Sequence, residues 1–263
     1  MGSTCSVIGW HGRPILDARS IGSGVFAAFD WRDLVLHPGP EIVSKAAVAS
    51  RHASAFTEAD LCRLRQCDNR YTDVQSLQSE DSVTWSTFGP HVPPSALATV
   101  VDAAFGIAGC PRMWQPTFWR RLPHPDGTGG GPEADLMLEA TDNWCFAIEA
   151  KWLSDLKSKQ GKGTNRTQLE MRADSIAAKG SALGRRGSLV IVPGPQQYPR
   201  ARTNSVFATY FAVDGDRYQP RESALQLEAR AITWNQIAAL LEQIPEAKEA
   251  AIYLRWRLSH LRP

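Results

Sequence analysis

No stretch of this sequence is apolar for long enough to read as a membrane span. Cysteine is scarce and scattered. The five stand at 5, 62, 67, 110 and 145, and none forms a C-x-x-C pair, which argues against a disulfide framework and a zinc cluster. The six histidines, at 11, 37, 52, 91, 124 and 260, have no ligand spacing, and His124 between Pro123 and Pro125 reads as a loop residue. One-signed charge is missing too. The net charge is +2, so the overall balance does not announce nucleic acid. Repeats, low-complexity tracts, helix-turn-helix and zinc-finger patterns are all absent. The opening MGSTCSVIGWHGR lacks a basic segment followed by an apolar one, so a reducing cytoplasm is the expected compartment.

Motifs that bind phosphate or acylate also fail. Gly161-Lys162-Gly163-Thr164 has Leu156 where a P-loop needs glycine and Gly163 where it needs Ser or Thr. No helix opens after Gly127-Thr128-Gly129-Gly130-Gly131, so that run reads as a loop between strands rather than a dinucleotide fingerprint. No strand–Ser–helix elbow supports a serine hydrolase.

What is there suits a globular chain. Its 263 residues, 43% hydrophobic and 21% charged, can bury a core as one large domain or as a domain plus an extension. Residues 1–70 have little periodicity and are expected to form an N-terminal extension or cap. The main domain is expected over 71–263, with a core at about 74–195 and a C-terminal helical extension at 200–263. Within that extension lie a run ending at Trp234, a helical stripe of Ile237, Leu240, Leu241 and Ile244, and an Arg-rich final helix from Ala247 to Leu261.

The chemistry concentrates in residues 133–152, EADLML–ATDN–WCFAIEAKW. Two alternating runs joined by Thr141-Asp142-Asn143 read as a β-hairpin. Because strand side chains alternate faces, Trp144, Phe146, Ile148, Ala150 and Trp152 share the buried face. Glu149 and Lys151 share the other with Cys145 and Ala147, and Asp135 on the partner strand points away from core-facing Leu136, Leu138 and Ala140. Two carboxylates and a lysine on one face can hold a divalent ion and an activated water beside a phosphodiester. The alternative is the solvated face of an ordinary hairpin. Two other acid-x-Lys triplets, Asp155-Lys157 and Glu246-Lys248, lie outside any such strand.

The flanks carry further elements. Thr117–Leu122 is expected as a strand. Thr167-Gln168-Leu169-Glu170 reads as a capping box opening a helix with Leu169, Ala173, Ile176 and Ala177 on its apolar stripe. Gln168, Arg172, Ser175 and Lys179 fall on a neighbouring face. Ser188–Val192 reads as a buried strand paired in parallel after the helical crossover. Upstream, Ser79–Phe88 reads as a helix stopped by Gly89-Pro90. Between 151 and 172, six basic residues outnumber two acids, so Lys157, Lys159, Lys162, Arg166 and Arg172 are candidate phosphate contacts, with a solvated loop as the alternative.

This layout resembles the PD-(D/E)xK nuclease superfamily, which includes many restriction endonucleases. The matching residues are Asp135 and then Glu149-Ala150-Lys151. Ala134 stands where the family usually has proline, with Pro132 three residues before Asp135. The superfamily core runs helix, three strands, helix, strand. The resemblance implies an α/β fold with a restriction-endonuclease-like core, a mixed central sheet flanked by helices, and terminal extensions. It implies a Mg²⁺-dependent deoxyribonuclease, with Mn²⁺ as a substitute. Asp135 and Glu149 would bind the ion, the Ala150 carbonyl and Glu80 or Asp81 would be further ligands, Lys151 would be catalytic, and Gln168 or Arg172 would orient water or grip phosphate. DNA is then the substrate. With no target-reading motif in the chain, a partner protein that selects the target or activates cleavage is expected, as in a bacterial defence or mobile-element system, and a homodimer is allowed for. The rival is a non-catalytic DNA-binding or interaction subunit on the same fold.

Overall fold

The computed structural model describes residues 7–15, 28–50, 57–59, 62, 71–106, 114–124, 130–140, 144–153, 171–176, 178, 186–192, 194–195 and 228–260. The chain divides into two units, Met1–His91 with Glu249–Pro263, and Val92–Lys248.

The first unit is organised by the helix Glu80–Phe88. Ser79 caps it by accepting from the backbone N–H of Ser82, Glu80 and Asp81 occupy its first turn, and Gly89 closes it, as the sequence predicts. Every residue from Ser82 to Phe88 is buried, the condition of a helix surrounded on all sides. Polar groups at such positions need partners. Ser86 Oγ accepts from Leu36 N at 3.0 Å, and Trp85 Nε1 donates to Leu36 O at 2.9 Å. A short antiparallel pair, β1 (Val7–Ile8) and β2 (Pro14–Ile15), adds Val7 and Ile15 to a cluster with Ala28, Leu34 and Leu77, against which Trp256 packs.

The last helix, Lys248–Ser259, is tied into this unit from Glu249 onward. Tyr253 OH donates to Leu34 O at 2.7 Å. Arg257, 1% exposed, donates through Nη2 to Leu77 O (2.7 Å) and Ser79 O (3.1 Å) and through Nη1 to Ser82 Oγ (3.0 Å) and Tyr253 OH (3.1 Å). These contacts explain why the expected boundary at residue 70 does not separate the units. The helix Glu80–Phe88 and the last helix both belong with the N-terminal residues.

In the second unit β3 (Trp114–Arg121), β4 (Glu133–Ala140), β5 (Trp144–Ala150), β6 (Arg186–Val192) and β7 (Glu228–Ala231) form one sheet in that order. The pairings β3–β4 and β4–β5 are antiparallel, while β5–β6 and β6–β7 are parallel. The fold is therefore α/β with a mixed sheet flanked by helices, as expected. Residues 171–176 and 178 are helical between β5 and β6, and the other positions of the expected helix lie outside the described residues. The helix Pro94–Phe105 packs on β3, on β7 and on the helix Trp234–Glu242, and Phe105 meets Phe146 edge-on at 5.4 Å between ring centroids.

Two features depart from the sequence reading. Within 200–263 the described residues, 228–260, are not simply a helical extension, because β7 joins the sheet and the helix Trp234–Glu242 packs in the second unit. Four residues, EARA, carry too little β-propensity to announce a strand, and pairing with β6 supplies what propensity lacks. The helix Pro94–Phe105 was not anticipated either. Its prolines look like breakers, yet Pro94 stands at the start, where its missing N–H costs nothing, and Gly106 ends it in the left-handed conformation (φ 65°). The β3–β4 connection closes tightly. Leu122 N donates to Pro132 O at 2.8 Å, and a Cβ on Gly131 would sit 1.9 Å from Leu122 O, so only glycine fits there.

Two tests of the first unit follow from its buried polar groups. Arg257→Ala should strand several buried acceptors and lower the unfolding free energy by on the order of 3 kcal/mol. Arg257→Lys should restore only part, since an ammonium cannot serve a planar fork of acceptors. A urea midpoint shift worth less than about 0.5 kcal/mol would deny the guanidinium this role. His91 gives a pH test. Its Nε2 lies 3.1 Å from Ser86 O, and its pKa is lowered from 6.5, first by burial and also by His37, against the Ser86 bond and Glu249. The unfolded chain thus takes up the proton first, so stability should fall as pH drops below about 6.5. Unfolding curves of His91→Gln should be flatter over that range; an unchanged pH slope would assign the loss to other groups.

Candidate functional site

β5 lies at the centre of the sheet, and every residue from Cys145 to Trp152 is buried. Glu149 and Lys151, two apart, share one strand face. That face is sealed: Glu149 is 1% and Lys151 2% exposed, which overturns the solvated-hairpin alternative for these two residues. The β4–β5 ladder runs from Glu139–Cys145 to Leu136–Ile148. One residue further the strands change partners. Lys151 N donates to Val192 O at 2.8 Å, so the N–H of Ala150 faces the β4 side, where Asp135 Oδ2 accepts it at 2.9 Å. The backbone bond fixes the Asp135 carboxylate beside Glu149.

The three expected residues therefore meet, with a fourth. Lys151 Nζ lies 2.7 Å from Glu149 Oε1 and 4.0 Å from Asp135 Oδ2. Arg172 Nε pairs with Glu149 Oε2. Arg172 comes from the helical residues 171–176 and is 4% exposed. Asp135 is the most open of the four, its side chain 13% exposed against 1% for Glu149 and 3% for Lys151. Two carboxylates thus face two cations. An unpaired buried charge costs several kcal/mol, and the cluster avoids that cost by neutrality.

Ser175, one turn beyond Arg172, is fully buried, and its hydroxyl meets no hydrogen-bond partner among the described residues. The expected helix face carrying Arg172 and Ser175 is thus turned inward. Gln168 and Lys179 of the same face lie outside the described residues, as do Lys157, Lys159, Lys162 and Arg166. Glu80 stands in the first turn of the helix Glu80–Phe88, in the first unit. Among the described residues, no group of three or more His, Cys, Asp and Glu side chains is arranged to hold a metal. The acidic set at this site is a pair.

Two supporting residues carried no signal in the sequence. Trp234 Nε1 donates to Lys151 O at 2.7 Å and its ring meets Trp152 edge-on at 5.4 Å, so an indole 83 positions away steadies the lysine backbone. Trp119 interrupts β3. The β3–β4 pairs step from Phe118–Leu136 to Arg120–Ala134, and Trp119 between them has φ 48°. That conformation is an outlier for a bulky residue and persists only where the surroundings hold it. Continuing the register sets it across from Asp135.

No protein-family model matches the chain, and neither a curated protein nor a solved structure matches it.

The ion cluster predicts non-additive energetics. Glu149→Ala should leave two buried cations short of a partner and cost about 3–5 kcal/mol. Glu149→Gln with Arg172→Met should cost clearly less than the sum of the two single changes, because each single variant strands what the other removes. Simple additivity in denaturant unfolding would show that the pair is not energetically joined.

Proposed function

We propose that the chain is a metal-dependent endonuclease that hydrolyses phosphodiester bonds of DNA on a restriction-endonuclease-like core. The observation that carries the reading is the buried meeting of Asp135, Glu149 and Lys151 where β4 and β5 part. The element order supports it. The helix Pro94–Phe105, β3, β4, β5, helical residues 171–176 and β6 run helix, three strands, helix, strand. The helix directly before β3 is Pro94–Phe105 rather than Glu80–Phe88, so the place of Glu80 among the ligands loses its main argument.

The donor set suits Mg²⁺ or Mn²⁺. Such ions take one or two carboxylates with waters and substrate phosphate, and Asp135 and Glu149, both within reach of Lys151 Nζ, supply two. Asp135, Glu149 and the Ala150 carbonyl would hold the ion, which when bound supplies charge to the phosphate and lowers the pKa of an attacking water. The rest of the chemistry belongs to the chain. The Ala150 N–H holds Asp135 in position. Lys151 places a point charge at the cluster, able to stabilise negative charge growing on a phosphate oxygen. Burial around Glu149 keeps bulk water from screening these charges. Target choice is assigned to a partner protein, since the sequence has no target-reading motif.

One observation favours a second reading. The four charges balance without any added ion, as a purely structural cluster in a non-catalytic binding subunit would require.

Cleavage decides between them. Plasmid DNA should be cut with Mg²⁺ or Mn²⁺ and spared with EDTA, with the expected partner present where the chain is silent alone. Lys151→Ala should lower the rate by about 10²–10³. Lys248→Ala, in the Glu246-Lys248 triplet outside the hairpin, should not. Chelator-resistant cutting, or equal activity of the two lysine variants, removes the assignment.

A further inference from the structure

The Arg172 guanidinium occupies the carboxylate that an ion would need. Glu149 Oε2 is paired with Arg172 and Oε1 with Lys151, all three sealed from solvent. Consider what an arriving dication meets. The resting quartet is neutral, so the ion alone would leave two uncompensated positive charges in a buried site, which is strongly unfavourable. A phosphodiester arriving with it brings negative charge, and its two oxygens offer a planar guanidinium the same fork that a carboxylate does. Lys151 is less suited to that exchange, because its ammonium is a point charge without a planar fork and it faces Asp135 Oδ2 at 4.0 Å as well as Glu149.

We infer that Arg172 is a substrate-released latch: it closes Glu149 in the resting protein, moves to the phosphate of incoming nucleic acid, and so makes metal and nucleic acid bind together. The inference rests on the nuclease reading and adds to it an order of events. Metal affinity should be low in the free protein and rise with the phosphodiester, and by reciprocity the ion should raise affinity for the phosphodiester by the same factor.

The test reads metal binding, not cleavage. Mn²⁺ affinity of the full chain is measured by electron paramagnetic resonance, with and without a short DNA duplex of non-hydrolysable phosphorothioate linkages. For the wild type the duplex should tighten Mn²⁺ about tenfold or more. In Arg172→Met, Mn²⁺ alone should bind about tenfold more tightly than in the wild type, and the duplex should add little. Arg172→Lys, which keeps the charge, should fall between. The wild-type comparison needs no variant and holds even if Arg172→Met folds poorly. If Mn²⁺ binds the wild type equally with and without duplex, and Glu149→Gln abolishes that binding, the latch is wrong and the metal site stands. If no form binds Mn²⁺ under either condition, the latch and the nuclease reading both fall.

Discussion

A carboxylate buried in the middle of a sheet needs charge brought to it, and Glu149 sets that demand for the second unit. Two cations meet it from different elements. Lys151 comes from the position just past the end of β5, two residues on. Arg172 comes from the helical residues that follow β5. Both must arrive with little freedom, since a mobile counter-charge leaves the carboxylate stranded part of the time. The crossover from β5 to β6 is thus more than a connection. It lays a guanidinium against a strand face that would otherwise be closed by apolar side chains, as Met137 and Ala147 show further along the same strands.

The sheet explains why this happens at 149–151. β5 has an antiparallel neighbour on one edge and a parallel neighbour on the other. Near its carboxyl end the antiparallel ladder stops while the parallel one continues to Ala150–Val192. An edge N–H is released there, and Asp135 takes it with its side chain rather than its backbone. Open α/β sheets place their ligand crevices at the carboxyl ends of strands, where neighbouring connections diverge. The kink at Trp119 falls on the next strand out, across from Asp135, so the irregularity spans two strands at one level of the sheet.

The sequence made the hairpin legible because period-two alternation and an Asp-Asn connection are local signals. The same holds for β6, whose residues Leu189–Val192 are an unbroken apolar run, and for the helix Glu80–Phe88, which announces itself by its cap and its stop rather than by a stripe. The burial of Glu149 and Lys151 was not legible. Alternation says that two faces differ, not that the second is covered, and Arg172, which closes on Glu149, lies outside the hairpin altogether. β7 and the helix Pro94–Phe105 failed for opposite reasons. One has too little propensity and relies on its neighbour; the other has a clear stripe in Leu97, Val100, Val101 and Phe105 behind prolines that look like breakers. The unit boundary was hidden because the contacts that settle it join residues 77–82 to 257, a separation no local pattern encodes.

Each unit buries an arginine, and the difference between the two is instructive. Arg257 donates to the carbonyls of Leu77 and Ser79 and to the hydroxyls of Ser82 and Tyr253. Burial lowers its pKa, against favourable contact with Tyr253, so the environment tolerates its charge rather than seeking it. Those acceptors belong to the backbone and to hydroxyls that no ligand replaces, and a guanidinium held that way is a rivet. Arg172 answers a carboxylate instead. A phosphate offers the same charge and the same two-oxygen geometry, so the bond that seals Glu149 can be traded for an equivalent one without leaving either charge alone. Burial makes both arginines costly to remove. Only the chemistry of the partner makes one of them exchangeable, and that one stands beside the two carboxylates and the lysine.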